Sequence, residues 1–298
     1  MLNEKQIHGV LFGYSGSFDP EAVMASFQVH GQTPEDGVIR NFLGTRIPPS
    51  VFPSILTDMA GHVEPLPAPG NWHADIAEWG AALFSVQQAK DLYRIVELGC
   101  GWGCWITNMG NAARARGLKV DLIGIEGDSY HLASARQVLE MNGFSDTQAR
   151  VFHGVAGPRP GKAIFPVHAT EGENWGAEPV FDPSPEALAK AENDPGAQVL
   201  ECMPLGQLSQ GQRIDLLHID IQGAETDFVR GNQDQMNAHV ARVLIGTHSR
   251  AIEGDLCRHF LDLGWQMEIE RPALNEIVDG RPDIRIDGVQ LWANPALV

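Results

Sequence analysis

The sequence predicts an α/β protein with a mainly parallel sheet. Three observations lead there. From residue 92 onward, short apolar runs alternate with amphipathic stretches of helical length, the pattern of strands joined by helical crossovers. A glycine run, Gly99, Gly101 and Gly103 in "ELGCGWG", follows the first apolar run directly. Glycine weakens regular structure, so three in five residues mark a backbone that turns tightly or lies against something. Finally, apolar runs stop at acids, as "DLIGIE" does at Glu126 and "LLHID" at Asp220. In open α/β sheets the carboxyl ends of the strands are where ligands bind.

The elements follow in order. Residues 1 to 70 are rich in Gly and Pro, and "IPPSVF" and "VEPLPAPGNW" cannot lie inside helices. Between and before these breakers, "DPEAVMASFQ" and "PEDGVIRNFLG" read as short helices. Residues 1–70 are therefore an N-terminal extension to a main domain at 71–298. That domain opens on an amphipathic helix in "HADIAEWGAALFSVQQAKDLY", where Ile76, Trp79, Gly80, Leu83 and Val86 share a face. "YRIVELG" is the first strand. The helix "GCWITNMGNAARARG" ends at Gly117, "KVDLIGIE" is the second strand, and "DSYHLASARQVLEMNGF" is a helix capped by Asp128 or Ser129 and stopped at Asn142-Gly143. "ARVFHGVAG" is the third strand and "GKAIFPVHA" a short additional one. Residues 170–198, acidic and Pro-rich, read as a long surface loop with one helical turn, a length typical of lids and binding loops. "RIDLLHIDI", "VARVLIGTH", "WQMEIERP" and "GVQLWANP" supply the last strands, with helices at "AETDFVRGN" and "GDLCRHFLDLG". The sum is a seven-stranded sheet with helices on both faces and right-handed crossovers.

Composition narrows the function. The chain has 298 residues and is 43% hydrophobic, enough for a sizeable core. Its 38 acidic and 21 basic side chains give a net charge of -17, which disfavours nucleic acid and anionic membranes as partners. The four cysteines, Cys100, Cys104, Cys202 and Cys257, form no C-x-x-C pair, so they suggest neither a zinc site nor a disulfide framework. They read as reduced thiols of a cytoplasmic protein. "MLNEKQIHGVLFG" lacks the basic-then-apolar pattern of a signal peptide.

Two readings of the glycine run compete. A dinucleotide site asks for G-x-G-x-x-G, but Cys104 stands at the third glycine position. The run instead matches E-x-G-x-G-x-G through Glu97, Gly99, Gly101 and Gly103. In this it resembles the class I S-adenosylmethionine-dependent methyltransferases, a Rossmann-like fold. A second stretch sharpens the likeness. "VELGCGWG", "IGIEGDSYHLASARQVLEMNGF", "HGVAG", "DLLHIDIQGAETDFVRG" and "VLIGTHSRAIEGDLCRHFLDLGW" resemble, in order, the FkbM family of methyltransferases over residues 90 to 270. The family usually carries a basic residue at His218 and often Glu at Gln222.

The resemblance implies S-adenosylmethionine as cofactor and O-methylation of a sugar or another hydroxylated small molecule. It sets the cofactor against Glu97, Gly99, Cys100, Gly101, Gly103, Glu126, Gly127, Gly154, Val155 and Asp220. Glu97 orients the loop or accepts from the ligand's ammonium, Glu126 takes the ribose hydroxyls, and His153 to Ala156 face the adenine. The bland readings are a solvated strand-end acid for Glu126 and dipole complementation for Glu225. For the acceptor's proton the candidate bases are His248, which ends the fifth strand, and Asp220. His218 shares a strand side with Asp220 and reads as buried and structural. Alternatively, Asp220, Glu225 and His248 hold a divalent ion, although magnesium prefers oxygen ligands. Trp175 either stacks on a ligand or pins its loop to the body. Trp102 packs over the cofactor's methionine tail or into the core. His73 and Asp75 belong to a lid candidate ahead of the first strand. N- or C-methylation on the same scaffold and a catalytically inactive cofactor-binding scaffold are the alternative functions, and the Asn/Asp-Pro-Pro-aromatic sequence of amine methylation is absent after the fourth strand, where "DIQG" stands.

Overall fold

The computed structural model describes residues 9–168, 170, 172 and 174–298. The first eight residues of "MLNEKQIHGVLFG" and Glu173, two residues before Trp175, lie outside the described residues.

The predicted strands assemble into one twisted sheet. They are β1 (Leu92–Leu98), β2 (Lys119–Glu126), β3 (Ala149–His153), β4 (Leu216–Ile219), β5 (Arg242–Thr247), β6 (Gln266–Arg271) and β7 (Gly288–Ala293). Their spatial order is β3-β2-β1-β4-β5-β7-β6. All are parallel except β7, which runs antiparallel between β5 and β6. An eighth strand of two residues, Ser15–Gly16, comes from the extension and pairs antiparallel with the outer edge of β6. Register levels the carboxyl ends: Leu98 lies beside Ile125 and Ile219, and Ile219 beside Ile245. Strand order reverses between β1 and β4, so a crevice opens where Gly99 and Asp220 follow those strands.

Side-chain alternation divides the core into two layers. Ile95 of β1 and Leu216 of β4 pack under the helices α1 (Ile76–Gln88), α2 (Cys104–Ala115) and α3 (Ser129–Met141). Val96, Leu98, Leu217 and Ile219 face the other way, toward α4 (Glu225–Gly231), α5 (Gln233–His239) and α6 (Arg250–Asp262). Asp75 caps α1 by accepting the Ala77 and Glu78 amides, and Asp128 caps α3 through the Tyr130 and His131 amides. Gly117 and Asn142-Gly143 end their helices as expected.

The extension shares the first core layer: Met24, Phe42, Ile47, Val51 and Leu56 are buried in it. The helix Pro20–Ala25 lies so close on α1 that a Cβ at Gly80 would sit 2.2 Å from the Pro20 ring. Gly80→Val is therefore expected to part the two helices, at about 1–3 kcal/mol of overpacking. Limited proteolysis should then cut the extension faster than in the parent. An unchanged digestion pattern and melting temperature would refute the contact's importance.

Three expectations need correction. "PEDGVIRNFLG" is no helix: Ile39–Arg40 pairs antiparallel with Arg46–Ile47. The Asn41 carboxamide accepts the Leu43 and Thr45 amides, the local side-chain bonding that diverts a backbone from helix. Within residues 170–198, the stretch from Val180 onward is more ordered than a surface loop. Val180–Phe181 and Ala197–Met203 join Val155–Ala156 and Gly161–Pro166 in a second, four-stranded sheet, and Pro185–Ala191 is a seven-residue helix capped by Ser184. Third, the hairpin Leu274–Val278/Arg281–Ile286 was not anticipated, although its Asp279-Gly280 turn is a strong hairpin signal. Among the described residues no helix is long and apolar enough to cross a membrane, and all four cysteines are free thiols.

Candidate active site

A cavity of about 490 Å³ opens along the carboxyl edge of the sheet, over the β1/β4 switch point. Its first half is built by the glycine loop. At Gly99 the φ of +68° is left-handed, and a Cβ there would meet the Asp220 carbonyl oxygen at 2.2 Å. This glycine lines the cavity and also serves the close approach of two chain segments, and Gly101 lines the cavity beside it. Gly101 has φ +52°, and its missing Cβ would lie 3.1 Å from the outer edge of the Trp175 ring. Gly103 stands outside the cavity wall; it is the N-cap of α2 and packs against Ala135 of α3.

Glu97 is buried beneath this loop. Its carboxylate accepts the Trp105 and Ile106 amides at 3.2 and 2.8 Å, tying β1 to the first turn of α2. Burial outweighs those two bonds and pushes its pKa up to about 8. Glu126, at the end of β2, accepts the Gly101 amide and the Asp128 amide, both at 2.7 Å. It is likewise buried, and its pKa rises to about 7. Cys100, Gly127, Gly154 and Val155 complete this half, and the Phe165 ring closes over Gly127. Trp102 is buried, stacks near Trp72 at 5.8 Å and also reaches the cavity wall. Trp175 packs on His131 at 4.0 Å and Phe52 at 5.0 Å, which pins its loop to the body beside Gly101.

The second half lies past the switch point. Asp220, Glu225 and His248 come together, but the imidazole occupies the centre. His248 Nδ1 is 2.7 Å from Glu225 Oε1, and Nε2 is 3.2 Å from Asp220 Oδ1. Burial disfavours the imidazolium, but the two carboxylates win and raise its pKa to about 10. Burial would also raise Asp220, and the His248 contact holds it below the usual carboxylate range. The trio is thus a clamped cation with both nitrogens engaged. Around it no metal-holding cluster of three or more His, Cys, Asp or Glu exists among the described residues. This geometry gives no support to the alternative that the three surround an ion.

No family model matches the chain. A curated protein of Jannaschia sp. (strain CCS1), named "Putative methyltransferase", is 52% identical over 274 residues, which span 92% of this chain and 98% of that protein. The chain belongs to the same methyltransferase family. The crystal structure of methyltransferase FkbM from Methylobacillus flagellatus KT is 14% identical, with a TM-score of 0.46; the match covers 73% of this chain and 54% of that one. A human methyltransferase 10 domain containing protein matches over 93% of this chain and 98% of its own, at 12% identity and a TM-score of 0.41.

The methyltransferase also brings residues to the cavity that sequence reasoning missed. Glu78, in the first turn of α1, and Asp287, just before β7, both line it. Burial, joined by the charges of Asp75 and Asp220, pushes the Glu78 carboxyl well above its usual range. Arg271 is buried there, ion-paired with Asp75, so Asp75 braces the wall as well as capping α1. His73 lines the same region among the rings of Trp72, Trp79, Trp102 and Trp105. His73 and Asp75 are the lid candidates of the sequence, but periodicity could not find Glu78, Arg271 and Asp287 here, because they meet only through the fold. An acid directly preceding an apolar strand, as in "RIDGVQLW", was the one available hint.

Proposed function

We propose that this methyltransferase is FkbM-like and S-adenosylmethionine-dependent, and that it methylates a hydroxyl oxygen of a small molecule such as a sugar. The observation that carries the reading is the continuity of the cavity: the glycine loop and Glu126 line one half, and a polar cluster around Asp220 lines the other. The chain fits the cofactor. Gly101 offers bare backbone to the cavity, and the Glu126 carboxylate stands at the end of β2, the strand next to β1. Glu126, Gly127 and Val155 would hold the nucleoside, and Gly99, Cys100, Gly101 and Asp220 the amino-acid end. S-adenosylmethionine supplies, when bound, an activated methyl on a sulfonium.

The chain's task is then alignment and proton removal. Positioning the acceptor oxygen in line is worth roughly 7–11 kcal/mol. Asp220, partly exposed to the cavity and fixed by His248, would receive the acceptor's hydroxyl groups as hydrogen-bond donors. His248, charged and anchored on Glu225, would orient that carboxylate. Calorimetry with S-adenosylhomocysteine tests the cofactor assignment. Glu126→Ala is expected to weaken binding about 10- to 100-fold, the worth of hydrogen bonds to a charged acceptor. Equal affinities would remove Glu126 from the site, and no binding by the folded parent would refute the reading.

A further inference from the structure

We infer that His218 is the group that takes the proton from the methyl acceptor, with Glu78 beside it as positioning residue. The inference rests on the hydroxyl-acceptor reading above and assigns its missing base. His218 lies on β4 two residues before Asp220, so both side chains leave the strand on the same side, and both line the cavity. Its strand neighbours are Glu97 on β1 and Leu244 on β5.

The imidazole is 1% exposed, and neither nitrogen has a hydrogen-bond partner. A buried polar group left so costs about 1–3 kcal/mol. The nearest acid is Glu78, whose Oε1 is 3.5 Å from Nε2, and the Trp105 ring lies 5.2 Å away at a tilt of 34°. A cavity-lining imidazole with unspent nitrogens is therefore available to a hydroxyl. The other candidates already hold charged partners. His248 has both nitrogens committed to carboxylates, and Asp220 is already paired with that cation.

The charged and titratable groups around His218 are Glu78 on α1, His73 ahead of it, Glu97 on β1 and Asp220 on its own strand. Burial lowers the His218 pKa to about 4, against the opposing charge of Asp220, so the resting imidazole is neutral and can accept. The proton of the acceptor hydroxyl passes to an imidazole nitrogen. The oxygen's electron pair forms the new bond to the methyl carbon, and the carbon–sulfur pair stays on sulfur, which becomes a neutral thioether. The imidazolium so formed lies beside Glu78 and Asp220, and it returns its proton to water when product leaves.

The test measures S-adenosylhomocysteine release with methyl α-D-glucopyranoside, UDP-glucose and catechol as acceptors. The parent is expected to turn over at least one. His218→Ala should lower kcat about 10²- to 10⁴-fold, keep S-adenosylhomocysteine affinity within about twofold by calorimetry, and regain part of its rate with added imidazole. His218→Gln, closer in shape, serves if the alanine protein does not fold, and its log kcat should climb with pH as the acceptor itself ionises. A nitrogen-15 histidine spectrum gives a readout without turnover: His218, assigned by its loss in the variant, should show a neutral ring from about pH 6 to 8. Undiminished kcat in both variants, or an imidazolium signal at pH 6, overturns the base. Absence of turnover on every acceptor while S-adenosylhomocysteine still binds overturns the hydroxyl-acceptor reading, and the base with it.

Discussion

A Gly101→Arg protein is expected to fold and to lose at least two orders of magnitude in affinity for S-adenosylhomocysteine. The two halves of this result have separate causes. A non-glycine residue at φ +52° costs about 1–2 kcal/mol, a loss that a domain of ordinary stability survives. The new side chain meets the outer edge of the Trp175 ring at 3.1 Å, a contact relieved by a shift of a few tenths of an ångström. It then extends into the cavity in front of Glu126, whose carboxylate already receives the Gly101 amide. Gly99→Ala is the informative contrast. There the added Cβ meets a backbone carbonyl at 2.2 Å, between β1 and β4, so the expected loss is of folded protein and not of affinity alone. Calorimetry beside thermal melts separates the cases. A Gly101→Arg protein that binds like the parent would refute the placement of the cofactor on this loop.

That contrast shows what one sequence carries. The run "ELGCGWG" announces a turn after β1, and it does so because glycine spacing is local. Which glycine faces a ligand and which faces Asp220 is decided by the β1/β4 pairing, a contact between residues 121 positions apart in the chain at Asp220 and Gly99. The strands were legible as short apolar runs, and β1 to β4 each stop at an acid or a glycine. Asn41, by contrast, undoes a helix that the pattern of "PEDGVIRNFLG" permits, through two side-chain bonds that periodicity does not contain. The catalytic half follows the same rule. Asp220, Glu225 and His248 were legible as residues at one sheet edge. The insertion of the imidazole between the carboxylates was not, and it changes a prospective base into a cation. Glu78 escaped notice because the first turn of a helix ordinarily carries an acid for the dipole; only the packing of α1 over β4 brings it to His218.

The clamp around His248 has a measurable consequence for stability. His248→Ala is expected to cost about 3–5 kcal/mol near pH 6, the usual result of breaking a buried ion pair and leaving one charge behind. Glu225 is fully buried; without the imidazole, its Oε1 keeps the Gly223 amide at 3.1 Å and the longer Ile221 contact, while Oε2 has no partner. The pH dependence follows from the sign of the shift. The folded pKa, about 10, lies above the unfolded value near 6.5. The folded state therefore binds the proton more tightly, and the contribution is fully present below pH 6.5. It declines as pH rises above that value and is gone once pH passes 10. Denaturant titrations of parent and variant at pH 6, 8 and 10 should show the gap shrinking stepwise toward the cost of lost packing alone. A gap that stays constant across this range would mean that His248 is neutral in the folded protein. It would then be free to exchange a proton, and the assignment of base chemistry to His218 would lose its strongest contrast.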